Sequence, residues 1–129
     1  IGWSGLSERS GAGKGKNRTP MYFRLSDGRA FGLAGLWDRW ERGDSHLETC
    51  TVVTTEASPL AAQVHNRMPV LLVDDAIERW LDGSLRPSEL SSLFAPYRGD
   101  DLETYEVSRF VNTPANDTEE CIRPMALLL

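Results

Sequence analysis

The sequence has little cysteine, little lysine and no long apolar run. Two cysteines in 129 residues are too few for a disulfide scaffold or a four-cysteine zinc site. No apolar run approaches the roughly 20 residues of a membrane helix, and no cationic-then-apolar leader is present. These absences predict a cytoplasmic protein without a membrane span.

The charge is acidic overall but unevenly distributed. Residues 1–42 carry eight Lys/Arg against four Asp/Glu, whereas residues 43–129 carry six against fifteen. A net charge of −5 argues against indiscriminate coating of nucleic acid, although it allows a local basic groove. The two lysines are Lys14 and Lys16, and every other cation is an arginine, which favours bidentate contacts.

The order of predicted elements is β-β-β-α-β-α-α-β, which indicates a mixed α+β fold in one domain, residues 1–129. The alternation and turn residues predict a largely antiparallel β-core with short flanking helices. Strands are expected at residues 21–26, 29–37, 49–55, 70–73 and 103–112, with a hairpin turn at 27–28, a polar loop at 43–45 and an irregular end from residue 113. Helices are expected after Ser58-Pro59, after Asp74 (burying Ile77, Trp80 and Leu81) and after Pro87.

Two superficial motifs fail. Residues 11–16 are rich in glycine and lysine, but they lack the G-x-x-x-x-G-K-[ST] pattern of a phosphate loop and follow no predicted strand. The available zinc ligands, His46, His65, Cys50 and Cys121, have no recognised ligand spacing, so no metal site is predicted.

His65 is the most informative polar residue. It lies before a Pro-terminated turn, has Arg67 two residues on, and follows the threonines of a predicted strand, Thr51, Thr54 and Thr55. If these segments pack together, an imidazole, a guanidinium and a hydroxyl converge in a site for anion binding or proton transfer. The alternative is a helix C-terminus at which His65 and Arg67 only stabilise the helix dipole.

Several ordered blocks resemble the SOS-response-associated peptidase (SRAP) family. The segment His65-Asn66-Arg67-Met68-Pro69 is similar to its H-x-R-M/R-P signature. The resemblance extends from about residue 2 to residue 124, as the C-terminal portion of a family domain. The other matching blocks are residues 34–37, 51–57, 70–72, 80–81, 111–112 and 116–117.

The resemblance implies a barrel-like SRAP fold and binding of single-stranded DNA that carries abasic sites. In the family, an N-terminal Cys captures the ring-opened sugar aldehyde as a Schiff base, and its thiol then closes a thiazolidine. The family histidine that aids sugar opening and proton transfer corresponds to His65. The arginine that holds phosphate corresponds to Arg67, and a threonine near the lesion corresponds to Thr54. Arg24, Lys14 and Lys16 are expected to help line the DNA groove.

The chain departs from the family pattern at two places. Residue 1 is Ile rather than Cys, and Cys50 and Cys121 are internal, so we expect an N-terminal segment of the domain to be lacking. Gly5 stands where the family has its catalytic Glu, and Glu8 is the nearby carboxylate that could substitute. Loss of this acid/base group should slow crosslinking and its reversal.

Four functions remain open. The first is an abasic-site sensor with lyase-like crosslinking chemistry, and the second is a degenerate module that binds single-stranded DNA without a covalent step. The third is a peptidase, as the family name states, although no nucleophile elbow supports it. The fourth is a purely structural domain.

The predicted protein is a bacterial, nucleoid-associated monomer that uses no small-molecule cofactor.

Overall fold

A computed structural model describes residues 19–125 of the chain and the backbone of residues 3–6. The strands are β1 (Trp3–Leu6), β2 (Pro20–Leu25), β3 (Gly32–Leu33), β4 (Gly35–Arg42), β5 (Ser45–Val52), β6 (Thr54–Glu56), β7 (Arg67–Pro69), β8 (Leu71–Leu72) and β9 (Leu102–Glu106). The helix α1 spans Asp75–Leu81, and four short 3₁₀ turns span Ala61–Gln63, Ser91–Phe94, Arg109–Asn112 and Glu119–Ile122. Every pairing between these strands is antiparallel, and the strands occur together with a helix and short 3₁₀ turns. The mixed α+β class is therefore confirmed. Closure into a barrel stays a prediction.

β2 is the centre of a three-stranded sheet in the order β1-β2-β9. The predicted hairpin from residue 21 to residue 37 is wrong. The turn itself forms, because Gly28 adopts a φ of 75° and its N–H bonds to the Leu25 carbonyl at 2.9 Å. The chain does not return along β2, however, since β1 and β9 already occupy both of its edges. β3 pairs instead with β8.

The long hairpin of the molecule is formed by β4 and β5. The expected strand 29–37 is divided into β3 and β4, and β4 continues to Arg42. A two-residue turn then replaces the expected polar loop at 43–45, with Gly43 at a φ of 58°. Glycine suits this position because it adopts positive φ without steric cost. The expected strand 49–55 is likewise divided into β5 and β6, at Val53.

The core consists of two apolar clusters. Alternation along β2 buries Phe23 and Leu25 in the first cluster, which also holds Met68. The second cluster is built on Ala34, Val70 and Leu72, with Ile77 and Trp80 of α1 packed against it. The predicted helix after Asp74 is therefore confirmed, and its Ile77 and Trp80 are partly buried. The predicted burial of Leu81 is wrong, because Leu81 ends the helix on the solvent side and is 76% exposed.

The other predicted helices are shorter than expected. The segment after Ser58-Pro59 forms a single 3₁₀ turn at Ala61–Gln63, whose N-cap is Leu60; the buried Ser58 hydroxyl accepts a 3.4 Å hydrogen bond from the Ala61 N–H. The helix after Pro87 is likewise a 3₁₀ turn. The expected strand 103–112 ends at Glu106, and the segment from residue 113 contains a further 3₁₀ turn and a bridge between Val107 and Pro124.

Candidate functional site

The candidate site is built on the antiparallel pair β6 and β7. The segment 65–69 was expected to be an irregular turn, but Arg67–Pro69 forms a strand in which Arg67 lies opposite Glu56. Met68 points into the core and is 1% exposed, so its neighbour Arg67 points outward. Strand alternation therefore presents Arg67, Glu56 and Thr54 together at the surface.

The Arg67 side chain is held against Thr54. Its Nη2 donates to the Thr54 carbonyl and to Thr54 Oγ1, both at 2.7 Å. The other three guanidinium N–H groups, on Nε and Nη1, have no hydrogen-bond partner in the described part of the chain and can bind a ligand. Within residues 19–125, Arg67 forms no ion pair with a carboxylate. The group is thus a positioned cation whose charge is not neutralised by a direct partner.

The His65 ring is oriented by the backbone of Arg67. Nδ1 accepts a 3.0 Å hydrogen bond from the Arg67 N–H and lies 3.2 Å from the Arg67 carbonyl. A ring with an unprotonated Nδ1 is satisfied by the N–H, whereas a ring with a proton on Nδ1 is satisfied by the carbonyl. Each protonation state therefore has a partner at the same place, and Nε2 is left for a ligand.

The structure brings His65, Arg67 and Thr54 together, as the expected convergence required. The other two threonines are not part of the group. Thr51 lies in β5 opposite Leu36, and Thr55 lies opposite the buried Met68. Sequence reasoning missed Glu56, because the predicted strand ended at residue 55. Extending its alternation by one residue would have placed Glu56 on the face of Thr54.

Arg24 lies on a different surface, the outer face of the β1-β2-β9 sheet. Its Nε is 3.1 Å from Glu103 Oε2, and its guanidinium lies 5.6 Å from the ring centroid of Tyr105. Both partners belong to β9, so no described contact joins Arg24 to His65 or Arg67. Lys14, Lys16 and Glu8 lie outside the described residues, and Gly5 is placed by backbone register opposite Met21.

A second polar cluster ties three segments together around Arg29. The guanidinium contacts Asp27, Asp74 and Asp101. Tyr97 donates a 2.6 Å hydrogen bond to Asp101, which raises the pKa of Tyr97 to about 12 and lowers the pKa of Asp101. Asp74 holds a strained φ of 50° with its carboxylate on Arg29. Because these residues are far apart in the chain, the sequence offered no signal for the cluster.

The other candidate binding groups in residues 19–125 are metal ligands and thiols. No cluster of three or more His, Cys, Asp or Glu side chains in that range could hold a metal ion. Cys50 is exposed on β5, and the Cys121 thiol donates to the Asn116 carbonyl at 3.4 Å. Across the same described part, no helix is long and apolar enough to cross a membrane.

Comparison with known proteins gives a family match over most of the chain. A sequence model described as SOS response associated peptidase (SRAP) matches residues 3–114. The abasic site processing protein YoqW of Bacillus subtilis is 39% identical over 109 residues, which cover 83% of this chain and 49% of YoqW. The abasic site processing protein HMCES of Gallus gallus is 40% identical over 103 residues, covering 77% of this chain and 30% of HMCES.

The fold is also shared with a solved structure. A crystal structure of a protein from Bacteroides thetaiotaomicron superposes with a TM-score of 0.79 at 28% identity. The superposition covers 96% of this chain and 54% of that protein. The chain thus spans about half the length of YoqW and of this structural neighbour.

Proposed function

Because the chain belongs to the SOS response associated peptidase (SRAP) family, we propose that it takes part in recognising abasic sites in single-stranded DNA. Relatives named as abasic site processing proteins support the substrate class. The single observation that carries the proposal is the positioned Arg67, whose guanidinium is held on Thr54 while its other three N–H donors have no partner among residues 19–125. A planar fork of this kind binds two phosphate oxygens at once.

His65 would handle protons at the lesion. In the tautomer that carries its proton on Nδ1, Nδ1–H donates to the Arg67 carbonyl in place of the bond from the Arg67 N–H, and Nε2 has a lone pair that can accept a proton from the sugar hydroxyl during ring opening. The resulting imidazolium keeps the same Nδ1 contact and can return the proton from Nε2. The backbone of Arg67 would therefore hold the ring in place through a complete proton cycle.

The covalent step belongs to our proposal for the whole protein. An N-terminal Cys amine would condense with the sugar aldehyde, releasing water and forming a Schiff base, and its S–H would then add across the C=N bond to close a thiazolidine. Cys50 and Cys121 are internal and have no free α-amine, so neither can close this ring. The described residues would supply DNA binding and proton transfer to that step.

We do not propose peptidase activity. A Ser, Cys or Thr nucleophile needs a hydrogen bond to its base. In the range 19–125, the hydrogen-bond partners of the His65 ring are the backbone groups of Arg67, and Thr54 Oγ1 is occupied by the Arg67 guanidinium.

Binding of labelled 20-nucleotide single strands tests the proposal. One strand carries a central tetrahydrofuran abasic analogue and the matched strand carries thymidine. We expect tighter binding of the abasic strand, weakened by Arg67→Ala. Arg86→Ala is the matched control, because Arg86 is an exposed arginine whose Nε pairs locally with Glu89. Equal binding of the two strands, or equal loss in the two variants, would contradict the proposal.

A further inference from the structure

Glu56 places a carboxylate beside the three residues of the candidate site. It is the only Asp or Glu in residues 54–69, which contain both strands of the β6–β7 pair and the turn between them. Its side chain is exposed. Within residues 19–125 it makes no ion pair and no side-chain hydrogen bond. The carboxylate can therefore meet a ligand without first giving up a partner in that range.

The strand register brings Glu56 directly opposite Arg67. Residues opposite each other in an antiparallel pair have Cβ atoms about 4.5–5.5 Å apart, and opposite charges at such positions attract each other. Here the guanidinium turns to Thr54 instead, with two 2.7 Å hydrogen bonds to its oxygens. The site therefore presents an anion and a cation side by side as two separate groups.

His65 lies diagonally across from Glu56. The pairing of the two strands continues one step beyond Arg67, where the Ala57 N–H donates to the Asn66 carbonyl at 3.2 Å. His65 is the next residue, and diagonal neighbours in an antiparallel pair are separated by about 7–8 Å. Its ring is held at the backbone of Arg67. An imidazole and a carboxylate thus flank the guanidinium, with room for the reacting carbon of a sugar between them.

We propose that Glu56 is a second catalytic residue of this site, which moves protons when a primary amine attacks the aldehyde of an abasic site. This role rests on the proposed function, because it needs an opened sugar bound beside Arg67. His65 serves the ring opening, in which a proton leaves a sugar hydroxyl. Condensation with the amine is a separate step with its own proton transfers, and the carboxylate is the group of the site that is left to perform them.

The condensation moves two protons from nitrogen to oxygen. The amine nitrogen forms a bond to the aldehyde carbon, and the carbonyl π electrons move to the oxygen. The Glu56 carboxylate accepts one proton from the nitrogen and passes it to that oxygen, which gives a carbinolamine. The carboxylate then carries the second N–H proton to the hydroxyl group, so that the C–O bond breaks and water leaves as the C=N bond forms. Glu56 ends the step ionised, as it began.

Capture of the aldehyde by O-methylhydroxylamine tests this role in the chain itself. The substrate is a 20-nucleotide single strand with a natural abasic site, saturated with protein. At high probe concentration ring opening limits the rate, whereas at low concentration opening is at equilibrium and the amine step limits the rate. We expect Glu56→Gln to slow capture at least tenfold at low probe concentration only, because it removes the proton acceptor. His65→Ala should slow capture at high probe concentration only.

Two further variants control for charge and for folding. Glu78→Gln is the matched control, because Glu78 is an exposed carboxylate of α1 that forms no ion pair in the described part of the chain, and it should leave both rates unchanged. Glu56→Ala should regain capture at low probe concentration when formate replaces chloride at equal ionic strength, since a small carboxylate can occupy the vacated space. A merely structural role of Glu56 would give no such rescue and would overturn the proposal.

The outcomes separate the role of Glu56 from the proposed function. A chain that prefers abasic strands, but captures the probe at the wild-type rate after Glu56→Gln, would overturn the role of Glu56 and leave the proposed function standing. A chain that binds abasic and intact strands equally would overturn both. Equal slowing by Glu56→Gln and Glu78→Gln would show a general effect of charge and would also overturn proton transfer by Glu56.

Discussion

Replacing Arg67 by alanine should reduce both stability and DNA binding, by amounts that the geometry sets. The side chain donates two 2.7 Å hydrogen bonds to Thr54, but it does so at the surface. Hydrogen bonds from charged groups contribute about 1.5–3 kcal/mol, and solvent exposure reduces this to about 1 kcal/mol. We therefore expect a fall in melting temperature of about 3–6 °C.

The expected loss of DNA affinity in Arg67→Ala comes from removal of the positive charge of the guanidinium. Each phosphate contact to a single strand contributes about 0.7 to the slope of log K against log salt concentration. Removing one contact should make the affinity ratio of wild type to Arg67→Ala about 2.5-fold larger at 50 mM than at 200 mM salt. Arg67→Lys should keep the slope but bind less tightly, because one ammonium cannot hold Thr54 and present a free planar fork.

Fluorescence anisotropy with a labelled 20-nucleotide single strand, at four salt concentrations, measures these slopes. Thermal melting of each variant separates lost binding from lost folding. Arg86→Ala, which removes an arginine paired with Glu89, should leave the slope unchanged. If Arg67→Ala and Arg86→Ala change the slope equally, Arg67 has no direct phosphate contact and the reasoning fails.

Four further predictions concern other residues. His65→Ala should melt close to wild type and still bind an intact strand, but lose preference for an abasic strand; a shared loss of both would refute its role at the lesion. Glu56→Gln should tighten single-strand binding about twofold, since Glu56 lies opposite Arg67 and a carboxylate would cost about 0.5 kcal/mol in water if a bound phosphate lay about 8 Å away; weaker binding would contradict this. Met68→Ala should reduce the free energy of unfolding by about 2–5 kcal/mol in urea titrations, because Met68 is fully buried and its sulfur accepts the Ser58 N–H. Tyr97→Phe should shift acid unfolding to higher pH, since Tyr97 lowers the pKa of Asp101. The stability that Asp101 contributes is present above its ordinary pKa of 3.8 and is lost as pH falls through its lower folded value. Identical acid curves for Tyr97→Phe and wild type would contradict the link.

Local signals predicted local structure and failed where distant segments compete. The spacing of Ile77 and Trp80 predicted α1, because one helix face meets the core. The Asp27-Gly28 turn was a sound local signal, but the strand that follows it could not pair with β2, whose edges are taken by segments at opposite ends of the chain. Proline and cap residues predicted helices that begin at Ser58 and Pro87, but these segments form only the 3₁₀ turns Ala61–Gln63 and Ser91–Phe94.

The candidate site was easier to anticipate than the sheets around it. His65 and Arg67 are two residues apart, and a short antiparallel pair is enough to bring them to Thr54. Glu56 was missed by one residue of strand length. The Arg29 cluster could not be anticipated, since Asp74 and Asp101 lie 45 and 72 residues from Arg29 and reach it only through the packing of distant segments.

Phosphate binding and the orientation of His65 depend on different parts of Arg67, its side chain and its backbone, so a substitution can separate them. Its side chain donates to Thr54 and offers further donors to phosphate, whereas its backbone contacts His65 Nδ1 through the N–H when Nδ1 is unprotonated and through the carbonyl when Nδ1 is protonated. Arg67→Ala removes the first set of contacts and keeps the second, so the His65 ring should retain its orientation while charge-dependent binding falls. At saturating DNA, proton transfer by His65 should therefore survive in Arg67→Ala. A variant that loses both together would show that the guanidinium, rather than the backbone, orients the ring.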